Sequence, residues 1–198
     1  YASRFLIQHL VACVRTSDGK APVSVLEKAI RQVNRELYRE AVEKEELMGM
    51  GTTLVAATTE GKTLYVSNIG DSRLYLIRRK KAYQVTRDHS YVEEMVAAGR
   101  MVRGSQEYLS QKNIITRAAG MTERVEADFF EVDLEHGDKI LLCSDGLTNM
   151  VDNEKIAEIA SAGESLRRRV QRLVDQANEN GGRDNITVIL ADYQEEVG

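Results

Sequence analysis

Thr63-Leu64-Tyr65-Val66-Ser67-Asn68-Ile69-Gly70-Asp71-Ser72-Arg73-Leu74-Tyr75-Leu76-Ile77-Arg78 holds two short runs of β-branched, aromatic and aliphatic residues, parted by one polar turn. Its neighbours repeat the pattern. Thr52–Thr58 precedes it across Glu60-Gly61, and Tyr83–Thr86 follows across Arg79-Lys80. Strands this close together predict an antiparallel meander, because parallel neighbours need a crossover of about a dozen residues or more. Further strand-like segments fall at Asn113–Thr116, Ala127–Leu134, Lys139–Cys143 and Ile186–Asp192. Between them, residues 88–112 read as irregular and partly helical, with Gly99 and Gly104 inside.

Helical periodicity is confined to the two ends. Phe5, Leu6, His9, Leu10 and Cys13 share one face near the start. After a turn at Ser17-Asp18-Gly19, Ser24 and Glu27 have capping-box spacing, and Leu26, Ile30, Val33 and Leu37 form the apolar stripe of a long second helix. Helices are also predicted at Asn153–Ala160, with Asp152 as N-cap, and at Glu164–Asn178. Arg167-Arg168-Arg169 lies in the latter; residues in sequence fan over about 200° of a helix, so a solvated face is expected. Central strands with helices at either end define an α+β class: two antiparallel sheets face to face, with helices on the outer faces.

The 198 residues fit one domain, 1–198, with a real core. Lys and Arg number 27 against 31 Asp and Glu, giving net charge −4 without a basic stripe, which excludes a nucleic-acid footprint. No apolar run approaches the ~18 residues of a membrane span. Cys13 and Cys143 are far apart, without metal-type pairing, and Cys143 sits inside an apolar strand, so a buried thiol in a reducing cytoplasm is expected. The chain opens inside a helix without a start signal, which is a hint of truncation.

Three aspartates carry the chemistry. Asp145 follows the strand Lys139–Cys143 and precedes Gly146, whose freedom permits an unusual backbone angle. Asp184, in Gly181-Gly182-Arg183-Asp184-Asn185, precedes the last strand. Asp71 lies in Gly70-Asp71-Ser72-Arg73, where Arg73 could hold a carboxylate. Each has an ordinary rival role: a cap on the turn at Leu147–Met150 for Asp145, an Asp-Asn turn for Asp184, a hairpin turn for Asp71. Gathered at one end of a sandwich, they would make an oxygen-only pocket suited to Mg²⁺ or Mn²⁺ rather than zinc.

Six segments in order carry a specific resemblance: Met50-Gly51-Thr52-Thr53, Gly70-Asp71-Ser72-Arg73, Asp88-His89-Ser90, Ile115-Thr116-Arg117-Ala118, Ser144-Asp145-Gly146-Leu147 and Gly182-Arg183-Asp184-Asn185-Ile186-Thr187. On them the chain resembles the metal-dependent serine/threonine protein phosphatases of type 2C (PPM), in their bacterial form. The resemblance spans about residues 2–193 and implies a four-layer α/β/β/α sandwich. It implies Asp145 and Asp184 as ligands of one metal of a Mg²⁺ or Mn²⁺ pair, and Asp71 with Asp145 as ligands of a weaker third. Residues 90–112 would form a flap beside the site. The implied reaction is hydrolysis of phosphoserine and phosphothreonine in proteins by a metal-activated water, with no covalent intermediate.

The family's upstream motifs, which supply a phosphate-gripping arginine and the Asp-Gly aspartate bridging two metals, do not precede Tyr1, and the resemblance therefore implies a domain missing its N-terminal strands. Asn149 stands where some members place another aspartate, which implies a weaker third metal. His89 is expected to be structural rather than the proton donor; His9 and His136 lack ligand spacing. The implied partners are phosphoprotein substrates and a serine/threonine kinase, with the protein a cytoplasmic monomer. The alternative is a non-catalytic pseudophosphatase or binding module on the same fold.

Overall fold

A computed structural model describes residues 1–15 and 21–195. The turn expected at Ser17-Asp18-Gly19 lies outside the described residues. In chain order the elements are α1 (Ala2–Arg15), α2 (Pro22–Glu43), β1 (Leu54–Glu60), β2 (Thr63–Ile69), β3 (Arg73–Arg78), β4 (Lys81–Gln84), α3 (Tyr91–Ala97), α4 (Gln106–Gln111), β5 (Asp128–Asp133), β6 (Lys139–Cys143), α5 (Asp145–Thr148), α6 (Asn153–Ala160), α7 (Leu166–Glu179) and β7 (Val188–Asp192). The strands form two antiparallel sheets, of order β1-β2-β5 and β4-β3-β6-β7, which is the expected α+β class.

The chain divides into two compact units. One comprises Tyr1–Leu54, Ser67–Asp71 and Asp88–Phe129; the other comprises Val55–Val66, Ser72–Arg87 and Phe130–Gly198.

In the first unit α1 and α2 pack together. Leu26, Ile30, Val33 and Leu37 are buried, as the stripe predicts. The capping box is not formed. Pro22 begins the helix, with Ala21 at the N-cap and no side-chain cap, because proline's fixed φ and missing N–H suit the first helical position. Ser24 is therefore already inside the helix, and Glu27 accepts from Arg31 at 2.5 Å instead. Residues 88–112 contain the two short helices α3 and α4, capped by Ser90 and Ser105. Asn113–Thr116 is not a strand; Ile115 makes one isolated bridge to Ser90.

In the second unit the period-two alternation of strands sorts side chains onto two faces. Leu74 and Leu76 of β3 and Ile140 of β6 join Leu64, Val66 and Leu134 in one buried cluster, to which both sheets contribute. The intervening Tyr75, Ile77, Leu141 and Cys143 face the other way, against Leu147, Ile156, Ile159, Leu173 and Ala177 of α5, α6 and α7. The four-stranded sheet thus lies between a sheet and a helical layer, as the sandwich requires.

The β3–β4 hairpin is as expected. Arg79 and Lys80 take φ of 52° and 60°, the paired left-handed angles of a two-residue hairpin turn. The continuous meander is not. β2 and β3 belong to different sheets, so Gly70-Asp71-Ser72 is a crossing between sheets and not a hairpin turn.

The arginine run also departs from the solvated reading. Arg168 is exposed and pairs with Glu164. Arg169 is buried at 4% exposure; it forks onto Asp192 of β7 and donates to the Ala160 carbonyl at 2.6 Å. A carboxylate from β7, invisible to a helical wheel, draws it inward. Cys143 is buried as expected, and neither cysteine is in a disulfide. No helix among the described residues is long and apolar enough to cross a membrane.

Candidate active site

Asp145 and Asp184 meet at one end of the four-stranded sheet. β6 is central, paired to β3 from Arg73↔Cys143 and to β7 from Cys143↔Val188. Its C-terminal end therefore brings Asp145, two residues beyond Cys143, beside the segment that enters β7. Ser144 fastens that segment. Its hydroxyl donates to the Asn185 carbonyl at 3.0 Å and accepts from the Thr187 N–H at 3.0 Å, while its own N–H donates to the Thr187 carbonyl at 3.1 Å. One side chain thus closes the loop carrying Asp184 onto the strand carrying Asp145.

Gly146 serves this closure in an unexpected way. It begins α5 and is not among the glycines of positive φ, so an unusual backbone angle is not its reason. A Cβ at this position would collide with the Asn185 carbonyl oxygen and lie 2.9 Å from the carbonyl carbon. Glycine is needed because two backbones approach there.

The rival reading of Asp145 as a helix cap also changes. Ser144 holds the N-cap position, and Asp145 is the first residue of α5. Its Oδ2 accepts from the Asn149 amide at 3.0 Å, so the residue standing in place of a further aspartate orients the first one. Asp184 is exposed, and its Oδ1 accepts from the Asn185 N–H at 2.6 Å, the turn role foreseen for it.

Burial first, then the charge of Asp184, push the Asp145 carboxyl above the ordinary aspartate range. The Gly146 N–H, the Asn149 amide and the charge of Arg73 pull the other way without cancelling them. Two carboxylates held together at this electrostatic cost, with oxygen donors alone, fit a hard divalent cation such as Mg²⁺ or Mn²⁺. Among the described residues no group of three or more His, Cys, Asp or Glu side chains forms a metal cluster.

A raised folded pKa means that ionised Asp145 lowers stability above its unfolded value. Asp145→Asn, neutral and of the same shape, is therefore expected to raise the Tm of chelator-treated protein, by about 2–4 °C per kcal/mol relieved in a chain of this size. The gain should vanish when Mn²⁺ is added. Paired melting curves with chelator and with Mn²⁺ check this; a lower Tm for the variant in chelator would contradict it.

Asp71 lies in the first unit, half-buried, directly after Gly70 at the end of β2. In the same unit His89 is buried. Its Nδ1 lies 3.0 Å from the Gly70 N, and its Nε2 lies 3.2 Å from Asp128 Oδ2, which fits the structural role expected for it. His9 stacks on Phe5 with ring centroids 3.9 Å apart, and His136 lies 3.3 Å from the Glu195 N–H; neither joins a candidate site. Ser144 and Asn149 are the contributors that sequence reasoning did not assign as supports, although both lie within four residues of Asp145.

Comparisons with known proteins agree with this architecture. The family model described as protein phosphatase 2C matches residues 1–191. The serine/threonine phosphatase stp of Listeria innocua is 41% identical over 167 residues, covering 84% of this chain and 66% of that protein. The crystal structure of the serine/threonine phosphatase Stp1 of Staphylococcus aureus superposes with a TM-score of 0.93 at 33% identity, covering 98% of this chain and 78% of that one. The catalytic domain of the phosphatase PstP, in complex with two manganese ions, gives 0.85 at 32% identity over 98% of this chain and 80% of its own. The chain belongs to the protein phosphatase 2C family. It spans a little under two thirds of the length of the Listeria relative.

Proposed function

We propose that the protein is a metal-dependent phosphatase that hydrolyses phosphoserine and phosphothreonine in other proteins. The observation that carries this reading is the joining of Asp145 to Asp184, through Ser144 and Gly146, in a chain of the protein phosphatase 2C family. Asp145 and Asp184 would hold Mg²⁺ or Mn²⁺, and Asn149 would keep Asp145 aimed. When bound, such ions neutralise the phosphate dianion and make water a competent nucleophile at neutral pH. The chain's own contribution is to fix the two carboxylates before substrate arrives. Asp71 is proposed as a ligand of a further, weaker metal on the strength of Gly70-Asp71-Ser72-Arg73. Cys143, buried in β6, is not offered as a nucleophile.

The relatives are phosphatases by name, and no observation favours the non-catalytic module. The manganese in PstP supports Mn²⁺ as the probe ion. A substrate of this chemistry must come from a phosphoryl-transfer reaction onto a protein hydroxyl, which is the place for a serine/threonine kinase. A cytoplasmic setting is proposed on the two cysteines, which form no disulfide.

The test is release of phosphate from a phosphothreonine peptide by the intact protein, with and without Mn²⁺. Asp145→Ala and Asp184→Ala are each expected to lower Mn²⁺-dependent turnover by more than about 100-fold, since even outer-shell partners of a metal ligand are worth about 10–100-fold. Undiminished Mn²⁺-dependent turnover in both variants would remove the assignment.

A further inference from the structure

His89 and its contacts join three of the six sequence segments in one hydrogen-bond chain, and His89, Asp128 and Arg117 have no role in the site described so far. The Gly70 N–H donates to His89 Nδ1 at 3.0 Å, and the His89 N–H donates back to the Gly70 carbonyl at 2.9 Å. Asn68 gives that carbonyl a second donor at 3.1 Å. On the far side of the ring, Nε2 lies 3.2 Å from Asp128 Oδ2, while Asp128 Oδ1 accepts from Arg117 at 2.9 Å. The His89 carbonyl accepts from the Thr116 N–H at 2.8 Å, which ties its backbone to the segment bearing Arg117.

The bonding fixes the ring's state. Because Nδ1 accepts from a backbone N–H, the single ring proton sits on Nε2 and is donated to Asp128. The guanidinium of Arg117, 3.4 Å from Nε2, faces another donor there and makes its bond to Asp128 instead. With both nitrogens engaged and the side chain only 5% exposed, the ring is held in one orientation. Carboxylates commonly fix metal-ligating histidines from behind; here the histidine so fixed holds a third group, a backbone peptide, instead.

The third group here is Gly70, at φ +97°, where a side chain would be strained and would also meet Thr53 Cβ at 2.8 Å. The direction in which the chain leaves β2, and so presents Asp71, depends on this one peptide. We propose that His89 is a positioning residue: by gripping Gly70 at both its N–H and its carbonyl, it sets the carboxylate of Asp71 for metal binding, with Asp128 and Arg117 holding the ring. The proposal rests on the reading of Asp71 as a metal ligand given above.

Two substitutions separate positioning from packing. The amide of asparagine falls near the place of Nδ1, so His89→Asn keeps an acceptor for Gly70 and gives up Asp128. The amide of glutamine falls near Nε2, so His89→Gln keeps Asp128 and gives up Gly70. Calorimetric titration of the intact protein with Mn²⁺ first defines the component that Asp71→Ala abolishes. His89→Gln is expected to weaken that component by about 10–100-fold, and His89→Asn clearly less, with similar melting temperatures for the two. Equal losses in both variants, or unchanged binding in His89→Gln, would overturn the positioning role. Absence of any Asp71-dependent component in the unsubstituted protein would instead overturn Asp71 as a ligand, and the proposal with it. Should either variant not fold, nitrogen NMR of the native ring decides: the Nε2–H tautomer at neutral pH is required, and the Nδ1–H form would refute the scheme.

Discussion

Arg169→Ala is expected to lower the unfolding free energy by about 3–5 kcal/mol, the usual loss when one partner of a buried ion pair is removed. In a chain of this size that is a fall in Tm of about 6–20 °C. The side chain is buried, and its guanidinium forks onto Asp192 while capping the Ala160 carbonyl at the end of α6. Asp192 depends on it: the hydrogen bond from Arg169 comes first among the causes that hold this carboxyl below the ordinary range, and outweighs burial. Lys139, 3.7 Å from the same carboxylate, is a second and weaker partner. Removing Arg169 therefore leaves a part-buried carboxylate with only Lys139 beside it, and takes the donor from the Ala160 carbonyl. The double variant Arg169→Met/Asp192→Leu should recover much of the loss, because taking both charges away costs less than orphaning one. Thermal and urea unfolding of the three proteins measure this; a fall below about 2 °C for Arg169→Ala would show the pair to be dispensable.

Arg169 also marks what sequence reading can and cannot see. Elements bounded by local signals were legible to the residue: β6 at Lys139–Cys143, and α6 at Asn153–Ala160, where Asp152 accepts from the Lys155 N–H at 2.7 Å. The capping box at Ser24 and Glu27 misled because Pro22, two residues earlier, offers a start that needs no side chain. The meander misled for a different reason. Short spacing shows that β2 and β3 are consecutive, but it cannot show that the chain changes sheets at Gly70-Asp71-Ser72. The aspartates were legible as strand-end carboxylates. Their supports were not, since Ser144 reaches Asn185 across 41 positions of sequence and Arg169 reaches Asp192 across 23.

Gly146→Ala puts local and tertiary physics in direct opposition. Gly146 lies in α5, where alanine is the better helix former by about 1 kcal/mol, so propensity alone predicts a more stable protein. The tertiary contact predicts the reverse: the added Cβ would run into the Asn185 carbonyl, which Ser144 holds in place from the other side at 3.0 Å. Backbone cannot rotate away as a long side chain can, so relief requires the 184–185 segment to move off β6. Overpacking of this kind costs about 1–3 kcal/mol, enough to outweigh the helical gain. The larger effect falls on function. The displaced segment carries Asp184, so the proposed Mn²⁺-dependent phosphatase turnover is expected to fall by about 10–100-fold although neither carboxylate has been touched. Mn²⁺ titration and a melting curve on the same preparation read the two effects together. A variant that melts higher and binds Mn²⁺ normally would show that the two backbones need not approach so closely, and that the proposed metal site does not depend on the joining of Asp145 to Asp184.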